Sequence, residues 1–96
     1  MSREFSIMPP SPTYSTERHG NLHRHEIFFG VANRKKSIRD GLVVFLSPAM
    51  HNMSDNGVHF NREFDIYLKQ IGQKAWMDYY NKTVEDFIRE YGRNYL

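Results

Sequence analysis

Histidine is the residue type in this chain best suited to chemistry, and its distribution is uneven. All five histidines lie between positions 19 and 59. Imidazole nitrogens bind divalent ions such as Zn²⁺ and Ni²⁺, and imidazole exchanges protons near neutral pH. If His25, His51 and His59 meet, with the carboxylate of Glu26 beside them, they could hold one divalent ion. The alternative is that each of them is an ordinary surface or core residue.

A short basic run follows the first histidines. It consists of Arg34, Lys35 and Lys36 with Arg39 nearby, and it could neutralise about three or four phosphates of a nucleic-acid backbone. A divalent ion beside such a run suits phosphodiester hydrolysis, because the ion stabilises charge on the phosphate and on the leaving oxygen. The alternative is a solvated charged loop without a ligand. No aromatic residue is interleaved with the run, so stacking on single-stranded bases has little support.

Two strands are predicted to position the first histidines. Leu22–Phe29 can alternate, with His23 and His25 on one face, and Leu42–Leu46 is apolar and β-branched like a buried strand. Residues 30–41 are polar and basic with a glycine at each end, which predicts a loop. If the strands pair antiparallel across that loop, His25 lies on the first of them.

Helical signals follow the second strand. Ser47-Pro48 offers an N-cap and a proline at the first helical position, which predicts a short helical turn through His51. Asn61 is a candidate N-cap for a long helix, and Thr83 begins the capping box of a last helix. The long helix has an apolar stripe that predicts a core face, formed by Phe64, Tyr67, Leu68, Ile71, Ala75 and Tyr79. Trp76 falls outside that stripe, which suggests a contact surface.

Length and composition limit the class of protein. The chain has 96 residues, 40% of them hydrophobic and 25% charged, which is typical of one globular domain. Its longest apolar run, Leu42–Leu46, is far shorter than the ~20 residues that cross a bilayer, and residues 1–5 lack the apolar stretch of a secretory signal. We therefore expect a cytoplasmic protein with no membrane partner. The sequence contains no cysteine, which excludes disulfides and thiolate metal sites.

Several segments together resemble a known family. They are His25-Glu26-Ile27-Phe28-Phe29-Gly30, Ala32-Asn33-Arg34-Lys35-Lys36-Ser37, Gly41-Leu42-Val43-Val44-Phe45-Leu46, His51-Asn52 and Gly57-Val58-His59-Phe60-Asn61. In this combination the chain resembles the HNH endonucleases, and more narrowly the small HNH-type proteins of phages and prophages of Gram-positive bacteria. The likeness covers roughly residues 19–96, and its specific part is 25–61.

The resemblance implies a fold and an activity. The fold is α+β: a small ββα-metal finger, made of an antiparallel hairpin and a short helix, followed by two C-terminal packing helices. The single domain then comprises an irregular arm (1–20), tied down by Phe5, Ile7 and Tyr14, the finger (21–61) and a helical part (62–96). The implied activity is metal-dependent cleavage or nicking of double-stranded DNA with low specificity, inside the host cell of a phage or prophage.

The resemblance also implies roles for individual residues. The family's catalytic pair falls on His25 and Glu26, and the metal ligands are His25, His51 and His59. The family has a histidine as general base where this chain has Glu26, so either Glu26 or His25 is left to serve as base. The family's orienting Asn has no direct counterpart, and Asn33 or Asn52 would replace it. The DNA backbone would contact the basic run, Arg34, Lys35, Lys36 and Arg39.

The departures from the family pattern leave other functions open. Mg²⁺, Mn²⁺, Ni²⁺ or Zn²⁺ is expected at the finger, whereas the structural zinc of many relatives is not expected, because the cysteines that hold it are missing here. A catalytically silent relative that binds DNA is one alternative. An interaction protein that engages a host nuclease or a packaging machine is another, and a homodimer also remains open.

Overall fold

A computed structural model describes residues 4–53 and 61–96 of the chain, with the backbone alone at 52 and 53. The elements, in chain order, are strand β1 (His23–Glu26), helix α1 (Val31–Asp40), strand β2 (Val43–Leu46), a π-helical turn (Ala49–Met53), helix α2 (Arg62–Tyr79) and helix α3 (Val84–Tyr91). The fold is therefore α+β, with an antiparallel strand pair ahead of the two long C-terminal helices, as predicted.

The two strands pair antiparallel, with His23 opposite Leu46 and Glu26 opposite Val43. The first strand is shorter than the predicted Leu22–Phe29, because the chain turns inward at Ile27 and Phe28, whose side chains are both buried. All four residues of β2 are buried, so this strand forms the centre of the structure.

The N-terminal arm covers the second edge of β2. The backbones of Ser15 and Phe45 exchange two hydrogen bonds of 3.0 and 2.8 Å, and the Ile7 amide donates to the Gly41 carbonyl at 2.8 Å. Tyr14 is buried, as predicted for an anchor of the arm, whereas Phe5 is 39% exposed. An unpaired edge of a sheet is a template for aggregation, and by pairing with β2 the arm covers the edge that β1 leaves open.

Residues 31–40 form a helix, and the prediction of a loop there is wrong. The segment contains good helix formers, Ala, Arg and Lys, and it ends at Gly41, whose left-handed φ of 78° lets its amide reach the carbonyls of Ile38 and Ser37. No apolar stripe marks this helix in the sequence, because its buried residues are the polar Ser37 and Asp40. Hydrophobic periodicity alone could not detect it.

The two C-terminal helices begin where their caps predict. The Asn61 side chain accepts a hydrogen bond from the Phe64 amide at 3.0 Å, and Thr83 forms a reciprocal capping box with Asp86. Gly72 faces the segment that follows β1 so closely that a Cβ atom there would lie 3.2 Å from the Phe28 ring. A glycine at this position therefore permits close packing of α2 on Ile27 and Phe28.

The face of α2 that is buried differs from the predicted one. Trp76 is only 6% exposed, so the interpretation of this residue as a surface contact is wrong. The most deeply buried positions are Leu68, Lys69, Gly72, Gln73 and Trp76. The polar residues Lys69 and Gln73 are thus buried, while Tyr67 and Tyr79 of the predicted stripe are exposed.

No helix in the described parts of the chain is long and apolar enough to cross a membrane.

Asp40, at the end of α1, accepts hydrogen bonds from all three helices. Its carboxylate receives the Trp76 indole N–H at 2.9 Å from α2 and the Tyr91 hydroxyl at 2.8 Å from α3. Arg39 binds both carboxylate oxygens, at 2.7 and 2.9 Å. The Tyr80 hydroxyl donates to the backbone carbonyl of Asp40 at 2.9 Å. Five hydrogen bonds therefore converge on one residue that is 8% exposed.

The charge of Asp40 is stabilised by these partners. Burial alone would raise the pKa of this carboxyl group, but the hydrogen bonds from Arg39, Tyr91 and Trp76 outweigh burial and hold the pKa below its ordinary value. In the opposite sense, burial and the bond to Asp40 raise the pKa of Tyr91. Asp40 is therefore ionised, and Tyr91 neutral, over the physiological range of pH.

Replacing this carboxylate should destabilise the fold. We expect Asp40→Asn to lower the free energy of unfolding by about 2–3 kcal/mol, because the amide cannot accept the same charge-assisted bonds from Arg39 and Tyr91. Urea denaturation followed by circular dichroism would measure the loss. Glu85→Gln, on the exposed side of α3, is the control and should change stability by less than about 0.5 kcal/mol. Equal stability of the two variants would contradict a central role for Asp40.

The contribution of Asp40 should also depend on pH. Its folded-state pKa lies below the unfolded-state value of about 3.9, so its stabilisation is complete above that value and is lost as pH falls through the folded-state pKa. The difference in unfolding free energy between the wild type and Asp40→Asn should therefore shrink as the solution is acidified below about pH 4. A difference that stays constant from neutral to acid pH would show that the charge of Asp40 is not what stabilises the helices.

Candidate functional site

Three histidine rings lie together beside the strand pair. His23 and His25 project from the same face of β1, because side chains alternate along a strand. The His51 ring, on the π-helical turn, has its centroid 5.4 Å from that of His25 and 5.6 Å from that of His23. We call these three residues the histidine cluster. The sequence predicted that His25 and His51 lie close together. For His23 it predicted only a position on the same face of the strand as His25.

Local backbone bonds fix the position of His51. The His51 amide donates to the Ser47 carbonyl at 2.9 Å, and the Met50 amide donates to the Ser47 hydroxyl at 3.3 Å. Ser47 thus caps the turn directly after β2, as its sequence predicts. Because Leu46 is the register partner of His23, the turn begins level with the first histidine of the cluster.

The members of the cluster differ in their access to solvent. His25 is 1% exposed, whereas His23 is exposed and His51 is half-buried. The cluster therefore has a buried ring at its base and an open edge where a solvent molecule or a ligand can approach.

Lys69 lies behind the cluster, where sequence reasoning did not place a functional residue. Its ammonium nitrogen is 3.9 Å from the centroid of the Phe29 ring, and that ring is 6.0 Å from the ring of His25. Lys69 also pairs with Asp65 one helical turn earlier. Burial lowers the pKa of Lys69, although the hydrogen bond that its ammonium group donates to Asp65 opposes that shift. Only the i, i+4 spacing of Asp65 and Lys69 could have signalled the pair, and such pairs are usually exposed.

Glu26 lies on the opposite face of β1 from His25. Its carboxylate binds Arg24 at 3.1 Å and Arg34 at 3.3 Å. The ion pairs continue from Arg24 to Glu4, at 2.9 Å, and from Glu4 to Arg18, at 2.7 Å. This ladder of alternating charges links the arm, β1 and α1, and Glu26 is one of its members.

The four basic residues predicted to contact DNA lie on α1 and differ in their surroundings. Arg34 is paired with Glu26, yet its side chain is 61% exposed. Lys36 donates to the Glu90 carbonyl at 2.6 Å, and Arg39 binds Glu90 in addition to Asp40. Lys35 is exposed, and within the described ranges it has no ion pair or hydrogen bond. Lys36 and Arg39 thus hold α1 against α3, whereas Arg34 and Lys35 face solvent.

The remaining predicted site residues do not join the cluster in the described structure. The Asn33 side chain donates to the Tyr91 carbonyl at 3.1 Å, which ties α1 to the end of α3. Asn52 belongs to the π-helical turn, and its side chain lies outside the described part of the chain. His59 also lies outside the described residues.

The spacing of the rings can be compared with metal coordination. Two imidazoles that bind one ion through nitrogens about 2.1 Å from it have ring centroids about 5–6 Å apart. The separations of 5.4 and 5.6 Å in the cluster fall in that range. Within residues 4–53 and 61–96, no group of three or more histidine, aspartate or glutamate residues is arranged to hold a metal ion. The ring spacing alone therefore permits His25 and His51 to share an ion, and His59, the predicted third ligand, lies outside the described residues.

Comparison with known proteins gives no relative. No protein-family model matches the chain, and neither the curated proteins nor the solved structures contain a significant match.

The location of Glu26 leads to a test of its role. We expect Glu26→Gln to lower the free energy of unfolding by about 1 kcal/mol, because it removes two partly exposed ion pairs. The imidazole NMR signals of His25 and His51 should stay in place, since Glu26 lies on the other face of the strand. Glu17→Gln, an exposed carboxylate on the arm, is the matched control. Shifted His25 and His51 signals in Glu26→Gln alone would connect Glu26 to the cluster and overturn this assignment.

Proposed function

We propose that this protein is a metal-dependent DNA endonuclease or nickase of the HNH type. The observation that carries the proposal is the pairing of His25 and His51, whose ring centroids lie 5.4 Å apart. One ring comes from the first strand, and the other comes from the helical turn that follows the second strand. This is the order of elements that the resemblance to the HNH endonucleases implies. The proposal includes DNA as substrate and the cytoplasm of a phage host as its place of action.

The residues proposed to hold the ion are His25, His51 and His59. A divalent ion bound there would stabilise the charge that develops on the phosphate and the leaving oxygen during hydrolysis. The buried ring of His25 gives the ion a fixed ligand, and the exposed edge at His23 leaves access for substrate. Glu26 is not included among the ligands, because Arg24 and Arg34 occupy its carboxylate on the other face of β1.

Fewer residues are proposed to contact DNA than the resemblance implied. Arg34 and Lys35 at the exposed side of α1 are suited to phosphates, since both are open to solvent. Lys36 and Arg39 are engaged with α3 and would have to leave Glu90 in order to bind DNA. We therefore assign the backbone contacts to Arg34 and Lys35. Two contacts give weak and salt-sensitive binding, as suits low sequence specificity.

A catalytically silent DNA-binding relative is the second candidate. The position of Glu26 favours it, because the chain lacks a histidine there and the carboxylate points away from the cluster, into the ladder of ion pairs. In this alternative α1 still contacts DNA through Arg34 and Lys35, but no phosphodiester bond is cleaved.

Cleavage of supercoiled plasmid tests the proposal. We expect nicking with Mg²⁺, Mn²⁺, Ni²⁺ or Zn²⁺ and none with EDTA, and we expect His51→Ala to reduce the rate by about 100-fold or more. Isothermal titration with Mn²⁺ or Ni²⁺ should show weaker binding in the same variant. His19→Ala is the matched control, because His19 is exposed and its ring lies 3.3 Å from the Ser15 hydroxyl on the arm.

Three results would decide against the nuclease. Nicking that survives chelation, or that is equal in His51→Ala and the wild type, would contradict it directly. A folded wild type that retains DNA on a gel without cutting it under any of the four metals would favour the silent relative.

A further inference from the structure

The outer face of α2 carries an apolar stripe that the described chain does not cover. Tyr67, Ile71, Ala75 and Tyr79 recur every four residues, so they lie along one side of the helix. Tyr67 is 41% exposed and Tyr79 is 64% exposed, while Ile71 and Ala75 are half-buried. The helix thus shows apolar side chains to solvent while it buries Lys69 and Gln73, the reverse of the usual distribution.

A groove runs beside this stripe. The N-terminal arm crosses α2 there, and Ile7 and Pro9 form one wall while Ile71, Ala75 and Tyr79 form the other. Its volume is about 420 Å³. The groove and the stripe together make a continuous apolar surface, of the kind that marks interaction sites on small proteins.

Two opposite charges, Lys74 and Asp78, also line the groove. Lys74 and Asp78 are both exposed, and neither forms an ion pair or hydrogen bond among the described residues. They are four residues apart on one helix, but a lysine on the N-terminal side of an acidic residue is the less favourable order for pairing within a helix. Both charges therefore remain available to a partner.

We propose that the outer face of α2 is the interface of a homodimer. A two-fold axis that crosses the helix between Lys74 and Asp78 would place Lys74 of each copy against Asp78 of the other copy. The interface would then contain two equivalent ion pairs. Ala75 lies beside the two charges in the lining of the groove, and its small side chain permits the helices to approach at the usual distance of about 8–10 Å. The tyrosines at the two ends of the stripe and the arm at Ile7 and Pro9 extend the contact.

A second copy suits this surface better than nucleic acid does. The two flanking charges cancel, and the carboxylate of Asp78 would repel phosphates. An interface between identical chains must be complementary to itself under rotation, and two opposite charges one helical turn apart meet that requirement when the two-fold axis passes between them. The stripe from Tyr67 to Tyr79 is about 18 Å long, which is small for a stable interface, so we expect dissociation in the micromolar range.

Charge reversal on this face gives a direct test by sedimentation equilibrium. The wild type should be dimeric at about 100 μM. Lys74→Asp and Asp78→Lys should each weaken dimerisation by about tenfold or more, because each replaces two attractive pairs by two repulsive ones. An equimolar mixture of the two single variants should form a heterodimer, and the double variant Lys74→Asp/Asp78→Lys should dimerise like the wild type.

Controls separate this interface from general charge effects and from misfolding. Lys82→Asp, in the exposed turn between α2 and α3, should leave the dimer unchanged. Circular dichroism of each variant verifies the helices, since all three substituted side chains are exposed. A monomeric wild type at about 100 μM, single variants that dimerise as well as the wild type, or a mixture that stays monomeric would each overturn the proposal. The experiment needs neither metal nor DNA, so its result is independent of the nuclease assignment.

Discussion

The buried carboxylate of Asp40 is the interaction on which the arrangement of the helices depends. It is the last residue of α1, and it is bound by a tryptophan from α2 and a tyrosine from α3. Arg39 supplies the compensating charge, and it extends the network to Glu90. Since the chain contains no cysteine, no disulfide can link these elements. They are linked here by Asp40, whose ionised side chain accepts four hydrogen bonds and whose backbone carbonyl accepts a fifth.

The position of the histidine cluster follows from this framework. Helix α1 fills the connection between the strands, and its end at Gly41 sets the point where β2 begins. The strand is buried on both faces and paired on both edges, by β1 and by the arm, so the turn that follows it has a fixed origin. His51 therefore reaches the face of β1 that carries His23 and His25. The geometry of the cluster is thus a consequence of backbone pairing and packing.

The sequence predicted those features that depend on local signals. Four elements were predicted correctly from such signals: three from caps at Ser47, Asn61 and Thr83, and β2 from its apolar run. The strand that pairs with β2 was predicted from the alternation of residues 22–29. The errors occur where polar side chains are buried. Helix α1 escaped detection because Ser37 and Asp40 face inward, and no property of the sequence shows that a tryptophan and a tyrosine will satisfy that aspartate. The candidate site was predicted only in part. The proximity of His25 and His51 follows from the strand pairing, whereas the ion pair of Glu26 with Arg34 depends on helix α1, which hydrophobic periodicity did not detect.

The pairing of the arm with β2 has a consequence for biosynthesis. Ser6, Ile7 and Ser15 leave the ribosome before their partners at Val43, Gly41 and Phe45, which follow 30 to 37 residues later in the chain. During that interval the arm has no strand to join, and Met8 and Tyr14 remain in water although both are buried in the finished protein. Closing a loop of this length is unfavourable in entropy until β2 and its hydrophobic neighbours have formed. The arm is therefore synthesised before β2 but can dock only after it, so a nascent chain stalled before β2 has left the ribosome would expose the arm to proteases and chaperones.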